Sequence, residues 1–178
     1  MLDLVFTRRF SMGHRLIAGA SERCALPHGH NEFVTVTLRP THPTRLDGHG
    51  NMPISFANAK TRWHSFIDIH LDHALQLSES DPLLAWFKTH EPERARRIVT
   101  TPGDPTTELL AALMLAKLTA FLQDDGNLLT PISLELQETP TNTVRLSGNP
   151  QDWLPTPRPH PQCWWHRPDT SISDEQHN

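Results

Sequence analysis

The chain has 178 residues, enough for one ordinary domain and too short for two. A net charge of −4 gives no electrostatic reason to expect nucleic acid or an anionic membrane as partner, and no run of 18 apolar residues is present to span a bilayer. The first ten residues lack the apolar core and cleavage site of a signal peptide, and two cysteines make no disulfide framework, so a cytoplasmic location is expected.

In chain order, Leu2, Leu4 and Phe6 alternate with Asp3, Val5 and Thr7 and predict a first strand running to Phe10. Residues 13–31 contain Gly13, Gly19, Pro27 and Gly29 and read as a long polar loop, a length usually kept for function. Glu32 to Leu38 alternates again, with β-branched residues, and predicts a second strand. Pro40 to Pro53 reads as a connection with Asp47-Gly48 as turn chemistry. Phe56, Ala59, Trp63, Phe66 and Ile67 then recur at helical spacing. A second helix is signalled by Asp104 as cap, Pro105 at the first position and a stripe from Leu109 to Phe121, with Asp125-Gly126-Asn127 as its stop. Ile132 to Glu138 and Thr143 to Leu146 read as returning strands. This order predicts an α+β domain with antiparallel strands in one layer and two helices in the other. The edges of so small a sheet need cover, and self-association into a larger barrel would provide it.

The body is expected to occupy residues 1–148 and a proline-rich tail residues 149–178, with Pro155, Pro157, Pro159 and Pro161 favouring an extended path. Trp153, Trp164 and Trp165 each bring a large apolar area, so part of the tail is expected to dock. Its own helices and a neighbouring subunit are the two candidate surfaces, and the neighbour is favoured.

Twelve histidines are present, and their spacing matters more than their number. In an extended segment His28 and His30 point the same way, and Gly29 between them lets the backbone come close. Two imidazoles so placed can reach one zinc ion, with His14 as the best third ligand and a fourth position left for substrate; chance surface histidines are the plain alternative. Cys24 lies four residues before His28, where a neighbouring cation would favour the thiolate as base or nucleophile. It can equally be a buried small hydrophobe or a fourth ligand. Asp72-His73 is an orienting pair for proton transfer or a capping pair, and His70 competes for either role. Glu108 and Glu138 can each accept two parallel N–H bonds, or serve respectively as a first-turn helix charge and a strand-end residue.

Phe10-Ser11-x-x-His14-Arg15-Leu16, Cys24-x-x-x-His28-Gly29-His30-Asn31, Leu71-Asp72-His73, Pro105-Thr106-Thr107-Glu108 and Glu138-Thr139, in this order, closely resemble the 6-pyruvoyltetrahydropterin synthase family. The resemblance covers roughly residues 4–146, and the short spacing from Cys24 to His28 is similar to the bacterial 6-carboxytetrahydropterin synthase branch. It implies the tunnelling fold: a four-stranded antiparallel sheet with two helices on one face, trimers closing into a barrel, and hexamers made of two trimers, with sites at subunit boundaries. It further implies zinc on His14, His28 and His30, Cys24 as proton-transferring thiolate with Asp72 and His73, and Glu138 anchoring a pterin ring with Thr106, Thr107 and Glu108. The implied reaction converts 7,8-dihydroneopterin triphosphate to 6-carboxytetrahydropterin, releasing acetaldehyde and triphosphate, on the route to queuosine-type 7-deazapurines. A pyruvoyl-forming paralogue and a non-catalytic zinc- or pterin-binding protein are the rival expectations. The sequence departs from the family pattern at Ser55, where an aspartate is usual, at Glu32, where an aromatic residue is common, and in the tail.

Overall fold

The computed structural model describes residues 2–19, 21–42, 45–155 and 162–174. Strand β1 spans Leu4–His14 and β2 spans His28–Pro40, so the long polar connection shrinks to residues 15–27 and all three candidate ligands sit on strands. Helix α1 (Phe56–Phe66) is capped by the Ser55 side chain, which accepts from the Asn58 amide at 3.1 Å. Strands β5 (Leu129–Thr139) and β6 (Asn142–Ser147) return as expected. β1, β2, β5 and β6 form an antiparallel run in that spatial order.

The sheet has six strands rather than four. β3 (Ala74–Ser78) pairs parallel with β1, and β4 (Ile98–Thr101) pairs parallel with β3, giving the order β4-β3-β1-β2-β5-β6. Between them lie helix α2 (Pro82–His90) and the short helix α3 (Pro92–Ala95). Parallel strands need such a crossover and are buried on both faces. Leu77 and Ile98 accordingly cluster with Leu84 of α2 on one face, while Ala74 and Val99 join the main core on the other. These strands are only four or five residues long and carry little alternation, which is why the sequence pattern does not reveal them.

The main core lies between the other strands and helices α1 and α4 (Thr107–Asp124). Phe10, Met12, Val34, Val36, Leu134 and Leu136 project from the sheet onto Trp63, Phe66, Leu110, Leu113 and Phe121. Thr106, not Asp104, caps α4, its side chain accepting from the Leu109 amide at 3.3 Å. Gly126, with φ of 87°, ends the helix as its neighbours predict. No helix among the described residues is long and apolar enough to cross a membrane.

The described part of the tail packs on its own chain, against the expectation that it would reach a neighbour. Trp164 is fully buried, its indole N–H donates to the Thr100 carbonyl at 2.8 Å, and the Thr100 amide donates to Ile172 at 3.0 Å. Since β4 is an edge strand, the tail covers an open edge. Trp153 is exposed, and Pro157, Pro159 and Pro161 lie outside the described residues.

Lys117, buried in the middle of α4, holds the tail by donating to the Trp164 and Arg167 carbonyls, both at 2.9 Å, and to Asp169 at 3.4 Å. Burial pushes its ammonium down to about 8, against the attraction of Asp169. In the unfolded chain it would titrate near about 10.4. Between these values the folded protein binds fewer protons, so the contribution of Lys117 to stability is complete above the upper value and is lost as pH falls through the lower. Denaturation midpoints measured from pH 7 to pH 10.5 should therefore rise more steeply for the wild type than for Lys117→Met.

Candidate active site and metal centre

The last rung of the β1–β2 ladder pairs His14 with His28, and two positions along, past Gly13 and Gly29, Met12 pairs with His30. Side chains two apart on a strand share a face, so the three imidazoles converge at one end of the sheet, on the side covered by α4. A Cβ on Gly29 would stand 3.0 Å from the Met12 carbonyl oxygen, a tight contact that glycine avoids where the two strands come close. Ring centroids lie 4.5, 5.2 and 5.1 Å apart. One nitrogen from each ring falls within 4.8 Å of the others, the only such group of metal-ligand type among the described residues, and Cys24 is outside it.

The donor set fits a metal. His14 Nδ1 lies 2.9 Å from the Pro105 carbonyl and His28 Nδ1 lies 2.9 Å from the Leu26 carbonyl. Each carbonyl fixes the Nδ1–H tautomer and leaves Nε2 as a lone pair. Those two Nε2 atoms face each other at 3.1 Å, an arrangement that needs a proton or a cation between two lone pairs. Burial, at 5 % exposure, lowers the pKa of His14, and the nearby His28 and His30 add to the effect. The neutral form that a metal requires is thereby favoured.

Next to the histidines lies a carboxylate pair. Glu138 Oε1 is 4.0 Å from His30 Nε2 and accepts from the Thr107 hydroxyl at 2.6 Å. Glu32, two residues beyond His30 on the same face, is buried at 3 % exposure. Burial pushes its carboxyl up to about 8, and the Glu138 charge adds to the rise. Thr106 caps the helix, and Glu108 is exposed in its first turn, where the helix N-terminus favours a negative charge.

Asp72 and His73 lie elsewhere. Helix α1 runs on through a π-helical turn, Ile67–Leu71, closed by the Asp72 amide on the Ile67 carbonyl at 2.8 Å. Asp72 accepts the Ser11 amide at 2.8 Å and faces His73 Nδ1 at 2.9 Å, and the amide bond lowers its pKa with His73 assisting. His73 takes a left-handed φ of 62°, held by its own N–H on the Ser11 carbonyl at 2.7 Å. His73 stands in this turn just before β3, whose first residue, Ala74, pairs with Met12. Its side chain is 77 % exposed, beside an open cleft of about 380 Å³ bordered by Ser11, Gly13, Asn31 and also His30. Within one chain His73 stands outside the three-histidine group. Cys24 lies in the intervening connection, its amide on Ser21 Oγ at 3.1 Å and its carbonyl accepting from Leu16 at 2.8 Å.

Two further contacts that shape the site have no signal in the sequence. Asp104 accepts the Ile17 and Ala18 amides at 2.9 and 2.7 Å, tying the Cys24 connection to the start of α4. Arg15 forms a two-pronged pair with the buried Asp81, the cap of α2. Burial would raise the Asp81 pKa, but Arg15 and the Leu83 amide outweigh it and leave it lowered. Both contacts join positions more than 60 residues apart. A larger cavity, about 890 Å³, opens at the far end of α4 among Met52, Ile54, Arg62, Phe121 and Leu128. Among the described residues its lining includes no group of metal-ligand type.

The same architecture occurs in solved structures. An uncharacterized protein from Wolinella succinogenes superposes with a TM-score of 0.66 at 23% identity, covering 83% of this chain and 98% of its own. The 6-pyruvoyl tetrahydropterin synthase of Caenorhabditis elegans gives 0.54 at 23% identity, covering 83% and 96%. That of Plasmodium vivax gives 0.59 at 16% identity, covering 83% and 98%. Comparison with curated protein sequences gives no match. Such identities speak to fold alone, but the sequence signature described as 6-pyruvoyl tetrahydropterin synthase matches residues 3–149, nearly the whole body. With that match added to a histidine cluster set on paired strand ends, the chain belongs to the 6-pyruvoyl tetrahydropterin synthase family.

Proposed function

We propose that the protein is a zinc-dependent carbon–carbon lyase that converts 7,8-dihydroneopterin triphosphate and water to 6-carboxy-5,6,7,8-tetrahydropterin, acetaldehyde and triphosphate, a step toward 7-deazapurines. The observation that carries this reading is the convergence of His14, His28 and His30 beside Glu138. Glu138 would accept the paired N–H groups of the pterin, with Thr107 orienting its carboxylate. Bound zinc would supply Lewis-acid polarisation of the side-chain hydroxyls. Cys24 would take a proton from the side-chain carbon as a thiolate. Asp72 holds His73 by Nδ1, which leaves His73 Nε2 to give or receive a proton.

Since His73 is largely exposed and outside its own chain's three-histidine group, it would act on the site of an adjacent subunit, in a hexamer built from two trimers. A pyruvoyl-forming paralogue is the second reading, because the same groups would serve it. Incubation of the zinc-loaded protein with 7,8-dihydroneopterin triphosphate, with mass analysis and trapping of aldehyde, separates them. Carboxypterin with one acetaldehyde per turnover supports the lyase, pyruvoyl product without acetaldehyde supports the paralogue, and bound but unchanged substrate supports a binding protein.

A further inference from the structure

A β-strand places every second residue on one face, so His28, His30 and Glu32 stand in a row along β2. The β2–β5 ladder pairs Phe33 with Gln137, which makes Glu32 and Glu138 cross-strand neighbours on the histidine side. Glu32 is 97 % withdrawn from solvent, being 3 % exposed, and its Oε2 has no hydrogen-bond partner among the described residues. An aliphatic or aromatic side chain would fill this position without the cost of an unsatisfied buried oxygen. Glu138, by contrast, is engaged by Thr107 and lies against His30. The pair is thus one oriented carboxylate and one carboxyl oxygen still open for a donor.

The chemistry of the ring names that donor, on the pterin reading given above. A 2-amino-4-oxopteridine offers N3–H and one amino hydrogen on one edge, the two donors a single carboxylate can accept. Around the next corner lie N1 and N8, and N8 carries a hydrogen only when the pyrazine half is reduced. We infer that Glu32 is a specificity-determining residue whose buried oxygen accepts N8–H of a reduced pterin while Glu138 holds the pyrimidine edge. An oxidised ring would turn a lone pair toward that oxygen and be rejected. A carboxyl whose proton is absent or sits on its other oxygen presents Oε2 as the acceptor this role requires.

The test is equilibrium binding of 7,8-dihydroneopterin and of oxidised neopterin to the zinc-loaded full chain. The wild type should prefer the reduced ring about tenfold or more, the scale of one buried hydrogen bond replaced by a repulsion. Glu32→Leu should bring the two affinities together, mainly by weakening dihydroneopterin, and should raise the melting temperature without ligand. Glu32→Gln, of equal size and still bearing a carbonyl oxygen, should keep most of the preference. Equal affinities in the wild type overturn the inference, and so does an unchanged preference in Glu32→Leu. A Glu32→Leu protein that melts lower and loses both ligands in equal measure also overturns it, because Glu32 would then be structural. Glu138→Ala separates this from the reading it rests on. If neither pterin binds the wild type, or if Glu138→Ala weakens neither, the pterin site itself is wrong; if Glu138→Ala weakens both and Glu32→Leu leaves the ratio intact, only the role of Glu32 falls.

Discussion

His28→Ala should release the metal and abolish turnover together while the chain stays folded. His28 is half-buried at the end of β2 and contributes to no core cluster, so its loss removes little packing. What it does remove is one of three ligand nitrogens, and zinc needs three protein ligands to stay seated with an open fourth position. A drop of at least about 10²-fold in zinc affinity is expected, since even loss of a hydrogen-bonding partner behind a ligand costs 10- to 100-fold. Metal content by plasma mass spectrometry and circular dichroism on the same sample give the two readouts. A His28→Ala protein that keeps stoichiometric zinc would falsify the ligand assignment.

Cys24→Ala and His73→Ala should each lose about 10² to 10⁴ in turnover, the range for removal of a positioned acid or base, and each should keep its zinc. The stronger expectation concerns their mixture. His73 is 77 % exposed and outside its own chain's three-histidine group, so the thiol of one subunit would work with the dyad of the next. Subunits of the two variants, refolded together in equal amounts, should regain about a quarter of the wild-type rate, from random pairing at a shared boundary. Each inactive parent serves as its own control. Light scattering that shows wild-type assembly in the mixture, with no recovery of rate, would place both groups in one chain and defeat the shared site.

The sequence by itself was enough for the parts of the molecule governed by local pattern. The alternation of β1 and β2, the helical stripe of α4, the Asp125-Gly126-Asn127 stop and the His28-Gly29-His30 spacing all act over a few residues, where strand and helix geometry dictate which side chains share a face. Three histidines on two paired strand ends follow from that geometry once β1 and β2 are known to pair.

The tertiary structure alone decided what depends on contacts between distant segments. β3 and β4 are too short to show a period and exist because neighbouring strands and α2 bury both of their faces. Asp104 has the residue type of a helix cap, yet the amides of Ile17 and Ala18 compete for it and Thr106 caps α4 instead. The aromatic tail reads as a reach toward a neighbour, whereas the open edge of β4 and the buried ammonium of Lys117 give it a place on its own chain. Asp72 and His73 follow each other in sequence, and their adjacency announces a pair but not a face. The structure places His73 in a left-handed turn just before β3, held by its N–H on the Ser11 carbonyl, where its side chain is largely exposed and outside the three-histidine group.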